Sequence, residues 1–283
     1  MSQSNLIFEI RELICGYRNK PNVLLIEHLD IERSKVYFII GPSGVGKSTF
    51  IEALGLMNDT ISSKQSKSLN YYNKQNEVFP LLDIWSKDAL EITNFRKNYF
   101  SFLFQNNFLM PNFTAGENML FTSLLKGEHQ TVAIQNIKQL MHDIDLNSDL
   151  FDREVSSLSG GQKQRVAFVR SLIVESEVLF ADEPTGNLDP LTSRKMMRLL
   201  KNEIVKHNRT ALIVSHDIHL AMEFADIIVP IKLKNIENGV KVGTISSEEI
   251  FYNDQQQWKD HKGIVVDSMA NTLLQSFQTT SNG

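Results

Sequence analysis

The stretch Gly41-Pro42-Ser43-Gly44-Val45-Gly46-Lys47-Ser48-Thr49 carries the spacing G-x-x-x-x-G-K-[ST], and that spacing has a chemistry. Glycines leave no Cβ in the way, so backbone N–H groups can turn inward on a polyphosphate. Lys47 can then reach the β- and γ-phosphates, and the Ser48 hydroxyl can ligate Mg²⁺. The bland alternative is a Gly-Ser turn that contains a lysine. The flanks favour the phosphate loop: the apolar run Val36 to Ile40 reads as a strand, and Thr49 to Leu54 can open a helix. Such a helix points the positive end of its dipole at the same anion. The loop implies a nucleotide and leaves its use open.

Other reactive groups stand at strand ends. Glu177 to Pro184 is an apolar run closing on Asp182 and Glu183. Carboxylates at the C-terminal end of a parallel strand face the crevice where α/β proteins bind ligands. One can hold Mg²⁺ and the other can accept a proton from an attacking water; alone, the pair would read as a solvated turn before proline. His216 ends the buried run Thr210 to Ser215. There it can hydrogen-bond a γ-phosphate, although a lone histidine is usually structural or exposed. In Leu158-Ser159-Gly160-Gly161-Gln162, Ser159 can cap the following helix and the glycines let an anion approach its N-terminus. Gln105 ends the apolar run Tyr99 to Phe104, where a glutamine is ordinarily a loop residue. Gly186-Asn187-Leu188-Asp189 is a turn with a further acid. Tyr17 has two readings, a strand-end tyrosine on the sheet edge or a platform for a purine base.

These groups need elements to position them. Residues 5–40 read as β-rich, with a turn at Arg18 to Asn22. The polar segment 58–76 reads as a loop or weak hairpin outside the core, and Lys87 to Asn98 as a short helix. Residues 108–157 read as helical, with Thr114 and Glu117 spaced as a capping box and an apolar face from Ala133 to Ile144. Lys163 to Glu175 and residues 192–206 are further helices. Asp226 to Leu233 and Val240 to Ile245 read as a last strand pair joined through Asn235 to Gly239. The Gln-, Ser- and Thr-rich tail 247–283 predicts a weakly packed helix near 264–277 or disorder.

Bulk composition narrows the class. The chain has 283 residues, 42% apolar and 22% charged, with a net charge of −4. That suits one or two α/β domains and suggests neither a nucleic-acid partner nor a cationic membrane-surface helix. The single cysteine, Cys15, lies in an apolar run and is expected to be buried and inert, in keeping with a reducing compartment. The N-terminus lacks the basic and apolar regions of a signal peptide. No window approaches about 18 apolar residues, so no membrane span is expected.

The motifs occur once each, in the order loop 41–49, Gln105, Leu158 to Gln162, acidic strand 178–183, Asp189 and His216. With that set the chain resembles a single ATP-binding-cassette (ABC) ATPase across residues 5–246. Gln105 to Asn118 and Ala181 to Asp189 are similar to the branch of lipoprotein-release, macrolide-export and cell-division ATPases, which work with a separate membrane protein. The resemblance implies an α/β fold: a P-loop NTPase core, an N-terminal antiparallel β subdomain, and a nested helical signature subdomain at about 107–165. The domain would span 1–246, followed by the tail.

The resemblance also implies roles. Tyr17 would stack the adenine of ATP. The loop from Gly41 through Pro42, Ser43, Gly44, Val45 and Gly46 to Lys47, Ser48 and Thr49 would hold its phosphates. Ser48, Gln105 and Asp182 would surround Mg²⁺, with Gln105 also sensing the attacking water beside a membrane partner. Glu183 would be the general base, and His216 would hold the γ-phosphate and the water. Ser159 and Gly161, with Gly160, Gln162 and Asp189 beside them, would contact ATP held by a second copy in a head-to-tail dimer. The partner would be an integral membrane permease, and no nucleic acid; the chain would be cytoplasmic, held at the inner face of the cell membrane through that partner. A non-transporting ATPase that regulates a membrane-bound partner is the alternative. A soluble translation or DNA-repair ATPase is disfavoured, since those usually carry two cassettes or a long coiled-coil insertion. Three features depart from the pattern: few glycine turns in 58–98, an insertion at Lys232 to Lys241, and the extra tail.

Overall fold

The computed structural model describes residues 5–186, 188–235 and 241–278. Its centre is a sheet of near-continuous apolar strands. β3 (Val36–Ile40), β8 (Thr210–Ser215) and β9 (Ile227–Pro230) are buried along their whole length, and β7 (Val178–Asp182) up to its last residue. Strands that read this way are covered on both faces and run parallel. Here β9, β3, β8, β7 and β6 (Phe100–Leu103) lie in that order, each parallel to the next. All their carboxyl ends therefore share one edge.

A six-stranded sheet covers one face. β1 (Leu6–Tyr17) and β2 (Lys20–Glu32) form a hairpin that pairs Tyr17 with Lys20 at its tight end. Between this sheet and the central one lies a core with Phe8, Ile39, Phe50 and Phe180, which α1 (Lys47–Leu54) joins through Phe50, Ile51 and Leu54. On the other face α5 (Gly160–Ile173), α6 (Pro190–Lys206) and α7 (Ile218–Phe224) bury Val166, Met196 and Leu220. α3 (Ala115–Leu125) and α4 (Gln130–Asp143) pack on α5. The capping box at Thr114 and Glu117 is present, as expected. This is the α/β architecture anticipated from sequence: a phosphate-loop core, an antiparallel β layer and a nested helical unit.

Three sequence expectations need correction. The segment 58–76 is part of the core: β4 (Ser68–Tyr72) pairs with β1 and with β5 (Val78–Pro80), and Leu69 and Tyr71 are fully buried. The last strand pair is divided between two sheets. β9 stays in the central sheet, while β10 (Lys232–Asn235) pairs antiparallel with β11 (Lys241–Ile245) in the six-stranded sheet, which β11 joins parallel to β2. The break falls where β3 ends: Ile231 N still donates to the carbonyl of Ile40, the last residue of β3. Residues 236–240, their connection, lie outside the described residues. The tail forms a helix, as expected, but up to residue 278 it packs on the core. β12 (Phe251–Asp254) adds antiparallel to β9, and β13 (Gln257–Lys259) follows it. Trp258 is buried in the same core, and α8 (Met269–Gln278) packs on α7 with Met269 and Leu273 buried. As expected, Cys15 is buried, and burial pushes its thiol up to about 12. Among the described residues, no helix is long and apolar enough to cross a membrane.

Candidate active site

Loop 41–49 leaves β3 and enters α1 without a side-chain cap. Gly46, the N-cap residue, has φ 106°, and Gly44 has φ 76°. Only glycine takes such angles freely. Side chains at these two positions would strain the loop that turns its amides toward the helix start. The first amides of α1 are thus free for an anion, which the helix dipole favours. The Lys47 ammonium lies across the same loop and donates to the carbonyls of Gly41 (2.9 Å) and Pro42 (3.0 Å). Its burial lowers its pKa, opposed by the charges of Glu183 and Asp182.

The acidic strand reaches the loop directly. Ser48 Oγ donates to Asp182 Oδ2 at 3.2 Å. Burial raises the Asp182 carboxyl above its ordinary value, and the Ser48 hydrogen bond opposes that. A hydroxyl and a carboxylate at this separation are hard oxygen donors of the kind Mg²⁺ takes, and they sit beside the anion-binding amides. The residues present therefore fit a Mg²⁺–nucleotide pair.

Glu183 follows in a left-handed conformation, φ 48°. A non-glycine residue held there costs roughly 1–3 kcal/mol, and such strain clusters at functional sites. The Glu183 N–H donates to Val214 O at 2.9 Å, which locks the turn to β8. His216 Nδ1 lies 2.8 Å and 2.9 Å from the two Glu183 oxygens. A carboxylate only accepts, so Nδ1 carries the proton and Nε2 is left to other partners. The Glu183 side chain is 13% exposed and the His216 ring 72%; the imidazole shields the carboxylate and faces solvent. A cleft of about 200 Å³ opens beside the pair, lined also by Thr185, Ser215 and Arg194.

The remaining predicted residues divide. Tyr17 is brought to α1, its hydroxyl 3.2 Å from Thr49 Oγ1 and donating to Glu52 Oε2 at 2.7 Å. Gln105 follows β6, next to β7 in the sheet, with an exposed side chain. Ser159 caps α5 in a closed box, accepting from Gln162 N (3.3 Å) while Gln162 Oε1 accepts from Ser159 N (2.9 Å). Gly160 has open space where a Cβ would be. Asp189 caps α6, accepting from the amides of Leu191 and Thr192 at 3.0 Å each; a hydrogen bond from the Thr192 side chain, and then these amides, lower its pKa. Among the described residues, no hydrogen bond joins 159–162 or Asp189 to loop 41–49, Asp182, Glu183 or His216. Asn187, in the turn before Asp189, lies outside the described residues.

Sequence reasoning missed two side chains of α5. Gln164 Nε2 donates to Pro184 O at 2.7 Å, just past Glu183. Arg170 donates to the carbonyls of Asn107 (2.7 Å) and Phe108 (2.8 Å) in the Gln105 segment. Their partners are distant main-chain oxygens, which leave no mark in the local sequence.

A family model described as ABC transporter matches residues 26–186. The lipoprotein-releasing system ATP-binding protein LolD of Myxococcus xanthus is 35% identical over 193 residues, covering 68% of this chain and 80% of that one. The macrolide export ATP-binding/permease protein MacB of a Shewanella species is 35% identical over 210 residues, 74% of this chain and 30% of that longer protein. Among solved structures, the dimeric bacterial ABC transporter cassette MJ0796 is similar with a TM-score of 0.67 and 26% identity, covering 79% of this chain and 94% of that one. Its post-hydrolysis dimer bound to ADP and Pi is similar with a TM-score of 0.65 at the same identity.

Proposed function

The chain belongs to the ABC transporter family and is an ATP-binding, ATP-hydrolysing subunit; from that premise we propose that two copies close head to tail over two ATP molecules and drive a membrane-embedded export partner. The observation that carries this reading is the separation within one chain. The phosphate loop, Asp182, Glu183 and His216 share one sheet edge, while Ser159–Gln162 bonds to none of them. A second copy in reverse orientation would supply the missing signature to each loop.

In this reading the loop amides and Lys47 hold the phosphates, and Tyr17 packs beside the adenine. Ser48 and Asp182 hold Mg²⁺, with Gln105 at its margin; the ion would neutralise charge developing in phosphoryl transfer. Glu183 takes the proton of the attacking water at a carboxylate oxygen. His216 keeps that carboxylate aimed through Nδ1, and in its imidazolium form donates from Nε2 to the γ-phosphate. Ser159, Gly160, Gly161 and Gln162 of the other copy add donors to the same phosphate, and Asp189 shapes the turn at the seam. Closure excludes water and strengthens each of these charges.

Relatives named for lipoprotein release and macrolide export support an export partner. So does exposed apolar surface: Phe108, three residues after Gln105, and Phe113, Phe121 and Leu125 are exposed, which suits a partner surface. The chain would sit at the inner face of the membrane through that partner. Glu183→Gln tests the mechanism. With ATP and Mg²⁺ it should run as a stable dimer in size-exclusion chromatography and lose about 10²–10⁴-fold in kcat. Wild-type turnover in that variant contradicts the assignment.

A further inference from the structure

We infer that Arg170 is a positioning residue for ATP hydrolysis, clamping the Gln105 segment to the helix that carries Ser159–Gln162 so that the two move as one. The inference rests on the roles proposed for Gln105 and the signature. Arg170 stands in the last turn of α5. It lies eleven residues after Ser159, which is about three turns and roughly 16 Å along the same helix face. One stiff element therefore touches three parts of the machinery. Its first turn holds the signature, Gln164 holds the turn after Glu183, and Arg170 holds the Gln105 segment.

The segment that Arg170 grips is not at rest by itself. Phe108 has φ 43° and is 67% exposed. Asn107 Oδ1 is buried with no hydrogen-bond partner. Both features disfavour the observed conformation. Two charge-assisted bonds from one guanidinium hold it, and such bonds are about twice as strong as neutral ones. Burial lowers the Arg170 pKa, and its bond to Asn107 O is partly shielded from the water that would compete for it. The exposed Phe108 ring meets Phe104 edge-on at 5.3 Å. A load on Phe108 is thus delivered to the loop that Arg170 grips. To yield, the loop must break both bonds or carry α5 with it. Lysine cannot replace this fork, because an ammonium is a point donor without the planar pair of N–H groups.

A double-mutant cycle tests the clamp, using the full chain with ATP and Mg²⁺. Arg170→Ala should lower kcat about 10–100-fold, the cost of small misplacement, with KM for ATP changed by less than about twofold. Arg170→Lys should recover only part of the loss. The Arg170→Ala/Gln105→Ala double variant should fall no further than the worse single variant, within about twofold. Amide exchange over 105–110 should quicken in Arg170→Ala. The clamp is overturned if the two losses multiply, or if Arg170→Ala turns over normally while Gln105→Ala is impaired. If Gln105→Ala itself turns over normally, the role given to Gln105 fails, and exchange decides the clamp: unchanged protection at 105–110 overturns it. If Arg170→Ala does not fold, Arg170→Lys takes its place in the cycle, with the same readings.

Discussion

At the carboxyl ends of β3, β7 and β8, reactive groups meet across long stretches of chain. Ser48 and Asp182 bond from 134 residues apart, and Glu183 is held by both His216 and Val214 O. At the start of α5, Ser159 and Gln162 bond only across one helical turn. The first region exists only when the whole sheet has formed, and its strain at Glu183 and its tuned Asp182 carboxyl are set by that sheet. The second is complete within a few residues and adopts no strained angle. A self-contained helix start that hydrogen-bonds to none of the crevice residues suits a part that is offered to another molecule.

Substitutions should separate the two regions. The largest effect is expected in the crevice. His216→Ala should lower kcat about 100-fold or more, as loss of a donor aimed at developing charge does. The ring is 72% exposed, so thermal unfolding should hardly move, and a collapse of Tm would mean His216 is structural. Next comes the signature. Ser159→Ala should cost about 1 kcal/mol of stability in denaturant titration, the usual value of an N-cap. An unchanged midpoint would mean that the box does not hold α5. The smallest effect is at Asp182. Its folded pKa is raised, so the native state holds the proton more tightly than the unfolded chain. Stability from this group then falls as pH rises from the ordinary carboxylate value through the raised one. Without nucleotide, Asp182→Asn should be slightly more heat-stable than wild type at neutral pH, with the gain vanishing in acid; a gain that persists at low pH contradicts a burial origin.

The sequence exposes the two regions unequally for the same reason. Capping boxes and the glycine loop are local, so residue types at short spacing reveal them. Asp182, Glu183 and His216 were legible because strand ends in a parallel sheet share an edge. β4 was hidden by its polar setting, although Leu69 and Tyr71 alternate with Ser68 and Asn70. The packed C-terminal segment showed itself only in the spacing of Met269 and Leu273, which meet α7 over 40 residues away in sequence. Arg170 left no trace, since carbonyl acceptors carry no residue identity.

Mixing two inactive variants measures whether the site is shared. Lys47→Ala removes the phosphate loop's cation, and Ser159→Arg blocks the signature; each alone should be inactive. If two copies meet head to tail, a mixed dimer holds one site with an intact loop and an intact signature. Half the dimers would be mixed and half their sites intact, so an equal mixture should recover about a quarter of wild-type turnover. A mixture as inactive as its parts would contradict the shared site and place loop and signature chemistry within single chains.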